Sequence, residues 1–385
     1  MPMQFLHRAA LARWLRATRG AIGLAALSLL AAAPARAEIV VGQVAPFSGP
    51  QGVTGKAVRA GAQLYFDAVN ARGGVKGQQI RFVTRDDAQK PEQTVRLVKE
   101  LIEKEAPVAL LGTIGTTNME ALAADGVLPR THTTLIGAIS GAASVARADG
   151  MLVVRASYHD EVSRLLSQLS HLGLRRIGLV YQDDGLGKDV LAGMEAAAAR
   201  FGVTLVARAG YARNTVDVQG PVAQMVQAAP EVVVLGATTA AAIEFIRQYD
   251  KAGGHALLYG MSIIDTDALL KGLGAQRARG YAFSMVLPQT SQQSRPVVRE
   301  YLALQAAAHN PELSARSMEG FIAAKALVMS LEKTQRLTAE AVGTTLRTAA
   351  PVDVGGYMLD FSTPKRNGSH YVNFGIFGDN GRIVQ

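Results

Sequence analysis

Ala106-Pro-Val-Ala-Leu-Leu-Gly-Thr-Ile-Gly-Thr-Thr117 and, further along, Ala229-Pro-Glu-Val-Val-Val-Leu-Gly-Ala-Thr-Thr239 are two forms of one device. In each, Ala-Pro leads into a short apolar run, a glycine, and a Thr-Thr pair at the head of a helical pattern. An apolar run without polar alternation reads as a strand buried on both faces, the signature of a parallel sheet covered by helices. In open parallel sheets, ligands sit outside the carboxyl ends of the strands. One device in each half of the chain therefore predicts two lobes whose strand ends face each other across a cleft.

The pattern extends outward from these two stretches. Ile39–Val41 and Ile177–Val180 are further apolar strands. Between the strands, Pro91–Glu105 turns Val95, Val98, Leu101 and Ile102 to one face and Glu92, Arg96, Lys99 and Glu103 to the other. Val162, Leu165, Leu166, Leu169 and Leu172 form another helix face. Repeated strand–helix alternation gives an α/β fold, here two Rossmann-like lobes with parallel-sheet cores. No Pro/Ser/Gly-rich linker separates the halves, so three strand-like crossings form the expected hinge, near Arg155-Ala-Ser157, Met285-Val-Leu287 and Val354-Gly355. Lobe 1 is then 38–156 with 286–354, and lobe 2 is 157–285 with 355–385. A hinge of this kind lets lobes close on a ligand.

Residues 1–37 are set apart as a secretory signal peptide. They carry Arg8, Arg13, Arg16 and Arg19, an apolar run from Ala21 to Ala33, and a small-residue end, Ala35-Arg-Ala37. The run is shorter than the roughly 20 residues a membrane-spanning helix needs. The segment holds five arginines and no acid, so losing it takes the formal charge from +9 to +4. The remaining Lys and Arg are interleaved with Asp and Glu, which argues against a nucleic-acid partner. With no cysteine in the chain there is no disulfide and no site for a lipid anchor. The expected product starts at Glu38 and works as a monomer in the periplasm.

From Ile39 onward the chain resembles the Leu/Ile/Val-binding protein family, the type I solute-binding components of ABC importers. The resemblance rests on ordered stretches: Ile39–Pro50, Gly61–Gly77, Asp86-Asp-Ala88, Tyr181–Lys188 and Ser317–Lys325. It implies two α/β lobes, three crossovers, a ligand closed between them, and a permease in the inner membrane as partner. By position, the hydroxyl that grips a ligand carboxylate corresponds to Thr116, with Thr117 beside it, and the next loop to Ile139 and Ser140. Thr54 falls where branched-chain binders often place an aromatic, Leu186 and Thr238 where they use tyrosines, and Ser262 where they use a glutamate for the ligand ammonium. Asp265, three residues on, is the candidate to supply the missing charge.

The residues also have plainer readings. Thr116 and Thr117 suit a helix start that welcomes an anion, and equally a plain N-cap. Tyr158 reads as a stacking partner or a core-edge tyrosine, and Arg155 as a structural hinge cation. Leu186, Thr238, Ser262 and Asp265 are also residue types that surface loops collect. No His/Cys spacing offers a metal site, no G-x-S-x-G marks a nucleophile, and Gly185-Leu-Gly187 lacks the pattern that cradles phosphates. Ser330-Leu-Glu-Lys333 matches S-x-x-K without partner motifs. The expectation is a non-enzymatic, cofactor-free receptor for a small carboxylate-bearing solute. The alternatives are an amino-free aromatic or aliphatic carboxylate as ligand, or a sensor feeding a membrane receptor.

Overall fold

A computed structural model describes residues 38–363 and 367–385; the signal-peptide segment lies outside them. The strands run in chain order β1 (Ile39–Ala45), β2 (Ile80–Asp86), β3 (Ala109–Leu111), β4 (Leu135–Ile136), β5 (Met151–Leu152), β6 (Arg176–Asp183), β7 (Thr204–Ala212), β8 (Val232–Gly236), β9 (Leu257–Gly260), β10 (Ala282–Met285), β11 (Val352–Asp353), β12 (Met358–Leu359), β13 (Asn373–Phe377) and β14 (Ile383–Val384). The first sheet has the order β2-β1-β3-β4-β5 and is parallel throughout. The second has the order β14-β13-β10-β9-β8-β6-β7. Its β6 to β10 are parallel, while β13 and β14 add an antiparallel edge that the sequence pattern did not announce.

Both halves follow from the burial of their apolar runs. Val232, Val233, Val234 and Leu235 are at most 1% exposed, as expected of a strand with helices on both faces. On the first sheet, the Gly52–Ala71 helix packs against the Ser317–Lys333 helix. Two glycines permit the close approach: a Cβ on Gly61 would meet Ser317 O at 1.9 Å, and one on Gly320 would meet Val58 O at 2.0 Å.

The chain passes between sheets after β5, after β10 and before β13. The third passage differs from the one expected near Val354-Gly355. Val354, Tyr357, Leu359 and Phe361 are buried in the core of the first lobe, and Val153 bridges Asn367. These apolar side chains and the Asn367 bridge keep residues 355–363 and 367–372 on lobe 1, so they leave the lobe 2 span 355–385. Tyr357 Oη lies 2.8 Å from Val154 O and 3.1 Å from Val286 O, so one buried lobe 1 hydroxyl ties the first two passages together.

Candidate ligand cleft

The carboxyl end of β3 turns through Gly112 to Gly115 into the Thr116–Asp125 helix. Gly115 has φ of +102°, and a Cβ there would meet Gln89 Nε2 at 2.2 Å, so the turn requires glycine. Thr116 does not cap this helix, since Gly115 holds the cap position. Its Oγ1 instead lies 2.9 Å from Ser140 Oγ, and both residues are at most 1% exposed. The structure thus joins two of the expected carboxylate-binding residues at the positive end of a helix dipole. Ala142 N donates to Ser140 Oγ at 3.0 Å, which orients that hydroxyl. Beside the pair, Ile139 packs with Ala45, Val58 and Ile114, with Phe47 at the edge. Thr54, also buried, sits one helical turn before Val58.

Thr117 faces the other lobe: Gly185 N donates to its Oγ1 at 3.2 Å. Leu186 follows, but its side chain is packed in the apolar core that spans the two lobes. Thr238 is the N-cap of the Thr239–Lys251 helix without a side-chain cap bond, and its N–H donates to Tyr211 Oη at 3.0 Å. Burial pushes the Tyr211 phenol up to about 12. Asp265 is committed elsewhere. Its Oδ1 accepts from Asp267 N and Ala268 N at 3.0 Å each, and its Oδ2 accepts from Ser314 Oγ at 2.7 Å. A carboxylate that caps its own helix and binds a serine has little left for a ligand ammonium.

The floor of the cleft is charged. Arg155, 1% exposed, runs between the lobes, with its guanidinium 5.5 Å from the Tyr158 ring centre and its Nη2 donating to Ser262 Oγ. Glu161 and Glu319 flank it at 3.8 Å each, and Arg316 Nη2 lies 3.2 Å from Glu319. Arg316 also donates to Ser262 O at 2.8 Å. Burial pulls the Arg155 guanidinium down, but Glu319, Tyr158 and Glu161 outweigh it and leave the group above its ordinary value. Burial pushes the Glu161 carboxyl above the usual carboxylate range, against the pull of Arg155. Ser262 and Ser284 face that carboxylate without reaching hydrogen-bond geometry. Tyr158 is 2% exposed, its N–H donates to Gly141 O at 2.9 Å, and its hydroxyl is directed at Ser140.

The lobes are closed on each other. Besides Gly185 to Thr117, Ala143 N donates to Asp189 Oδ1 at 3.0 Å. Arg213 Nη2 reaches Gln89 O at 2.8 Å and Asn118 Oδ1 at 2.6 Å. Near Ser262, Ser284, Val286 and Arg316 the remaining cavity is about 30 Å³, room for water rather than for a solute.

A cleft between two α/β lobes at facing strand ends matches what the comparisons with known proteins return. The family described as periplasmic binding protein matches residues 38–381. The chain belongs to that family. It is similar to a substrate-binding periplasmic protein from Ralstonia solanacearum, with a TM-score of 0.87 and 40% identity over 90% of this chain and 100% of the other. A possible leucine/isoleucine/valine-binding protein from Rhodopirellula baltica superposes with a TM-score of 0.86 and 25% identity, covering 92% and 98% of the two chains. Leu/Ile/Val-binding protein homolog 7 of Brucella suis is 25% identical over 375 residues, 90% of this chain and 91% of that one. Its family consists of extracytoplasmic binding proteins rather than enzymes. Among the described residues no helix is long and apolar enough to cross a membrane.

Sequence reasoning missed several residues at the site of this binding protein. Glu161 reads as an acid in the first turn of the Tyr158–His171 helix, where the dipole alone accounts for it. Spacing held the missing signal, since Glu161, Leu165 and Leu169 follow at i, i+4 and i+8 on the buried face. Arg213 and Asn118 had no comparable signal, because their partners lie far away in sequence; Glu319 pairs locally with Arg316 at i−3, and only its second partner, Arg155, is distant.

Proposed function

We propose that this binding protein captures a small carboxylate-bearing solute between its lobes and presents it, as a monomer, to an ABC permease in the inner membrane. Branched-chain or other amino acids are the expected class. The observation that carries the reading is the buried Thr116–Ser140 hydroxyl pair at the head of a helix. Two aligned hydroxyls on a helix N-terminus favour an anion that can accept from both. The bonds from Arg213 and Gly185 across the cleft support closure as the capture step. A ligand stabilises the closed form only through contacts it makes there and not in the open form. The mobile units are lobe 1, residues 38–156 with 286–363 and 367–372, and lobe 2, residues 157–285 with 373–385.

The test uses protein unfolded and refolded to remove carried-over ligand, then a thermal-shift panel of amino acids and amino-free carboxylates. Detection by dye or calorimetry suits a chain whose single tryptophan, Trp14, precedes Glu38. At a concentration near 100 times Kd, stabilisation of about 2.7 kcal/mol moves the melt by several degrees. A folded protein whose melt no carboxylate moves refutes the reading.

A further inference from the structure

Four buried charges at the floor of the cleft are unevenly matched. Glu319 faces two cations, Arg316 at 3.2 Å and Arg155 at 3.8 Å. Among the described residues, Glu161 has only the shared Arg155 at 3.8 Å, and neither of its oxygens has a hydrogen-bond partner there although the residue is 1% exposed. A buried carboxylate in that condition is costly unless a donor reaches it. The two residues expected to receive a ligand ammonium are both occupied: the Ser262 hydroxyl accepts from Arg155, and both Asp265 oxygens hold donors. Glu161, by contrast, stands beside Ser262 and Ser284 at the carboxyl ends of β9 and β10, where the second lobe presents its ligand face.

Its place along the helix fits a zwitterion. Tyr158, one turn earlier on the same face, is directed at Ser140, the partner of Thr116. One turn of this helix thus carries both the tyrosine beside the anion pair and the orphan carboxylate. An amino-free acid would bring a negative charge into the cleft and leave Glu161 without a donor.

We propose that Glu161 accepts the ammonium group of the solute, taking over from the neighbouring strand-end position where this chain has Ser262, and so selects amino acids over amino-free acids. The inference rests on the proposed capture of a carboxylate by Thr116 and Ser140. The experiment is titration calorimetry of refolded wild type, Glu161→Gln and Glu319→Gln with matched probes: leucine against 4-methylpentanoate, and phenylalanine against 3-phenylpropanoate. Wild type is expected to bind the better amino acid about 100-fold or more tightly than its amino-free counterpart. Glu161→Gln should erase that ratio by weakening the amino acid alone, and Glu319→Gln should keep it. A wild-type preference for the amino-free acid overturns this inference and leaves the capture reading standing, and it needs no variant to fold. Equal weakening of both probes by Glu161→Gln means a structural role and also overturns it. If no probe binds wild type, the capture reading fails and this inference with it.

Discussion

Arg213 gives the closed form a measurable handle. Its Nη2 donates across the cleft to Gln89 O at 2.8 Å and to Asn118 Oδ1 at 2.6 Å, while Asp184, on its own lobe, holds its Nε side at 3.3 Å. Arg213→Ala removes both cross-lobe bonds and leaves the ligand-facing residues untouched. Hydrogen bonds from a charged donor are worth about 1.5–3 kcal/mol each. With a fifth of the side chain exposed to solvent, and with one guanidinium nitrogen making both bonds, a combined loss of about 2 kcal/mol is the reasonable figure. That lowers the closed-to-open ratio by about 30-fold, and apparent Kd rises by the same factor when binding requires closure. Titration calorimetry reads the change in Kd, and small-angle scattering at saturating ligand should still show a compact particle. A Kd within about threefold of wild type, at an unchanged melting temperature, would refute the view that this clasp contributes to closure.

Three further outcomes follow from the same geometry. Thr116→Val keeps the shape and removes the hydroxyl that meets Ser140, so affinity for any carboxylate should fall about tenfold or more while the ligand-free melt stays within a few degrees, read by calorimetry. Gly61→Ala gains about 1 kcal/mol of helix propensity, but its Cβ would sit 1.9 Å from Ser317 O; the clash should win and cost about 3 kcal/mol, seen as a lower denaturation midpoint. Burial pushes the phenols of Tyr65, Tyr211 and Tyr301 up to about 12. Between about pH 10 and 12 the unfolded chain loses these protons and the folded one keeps them. Stability should therefore fall by up to about 1.4 kcal/mol per pH unit for each fully buried phenol, and urea melts at pH 9 and 11 that coincide would exclude this.

The fold was legible because its signal is local. Val232–Leu235 reads as a doubly covered strand whatever its neighbours do, and the structure buries all four residues. The Thr116 and Ser140 assignments came through the resemblance, and the structure added only that the two hydroxyls meet. The third passage was misplaced because Val354-Gly355 looks like a chain break, while the apolar residues Tyr357, Leu359 and Phe361 hold the segment on lobe 1. Asp265 was a plausible ammonium partner from its charge and position. Its helix-capping bonds are local, yet Ser314, which takes the other oxygen, is 49 residues away.

By itself, the sequence determined the alternation of buried strands and amphipathic helices, the two strand-end Thr-Thr devices and the class of protein they suit. Each of those rests on spacing within a dozen residues, which hydrophobic burial reads directly. Only the tertiary structure decided which charges share the cleft. Arg155 and Ser262 are 107 residues apart and Arg316 and Ser262 are 54 apart. Whether Glu161 keeps a partner of its own depends on how those separate segments meet. Pairing between charges this far apart leaves no period along the chain, so it emerges only when folding sets distances and removes water.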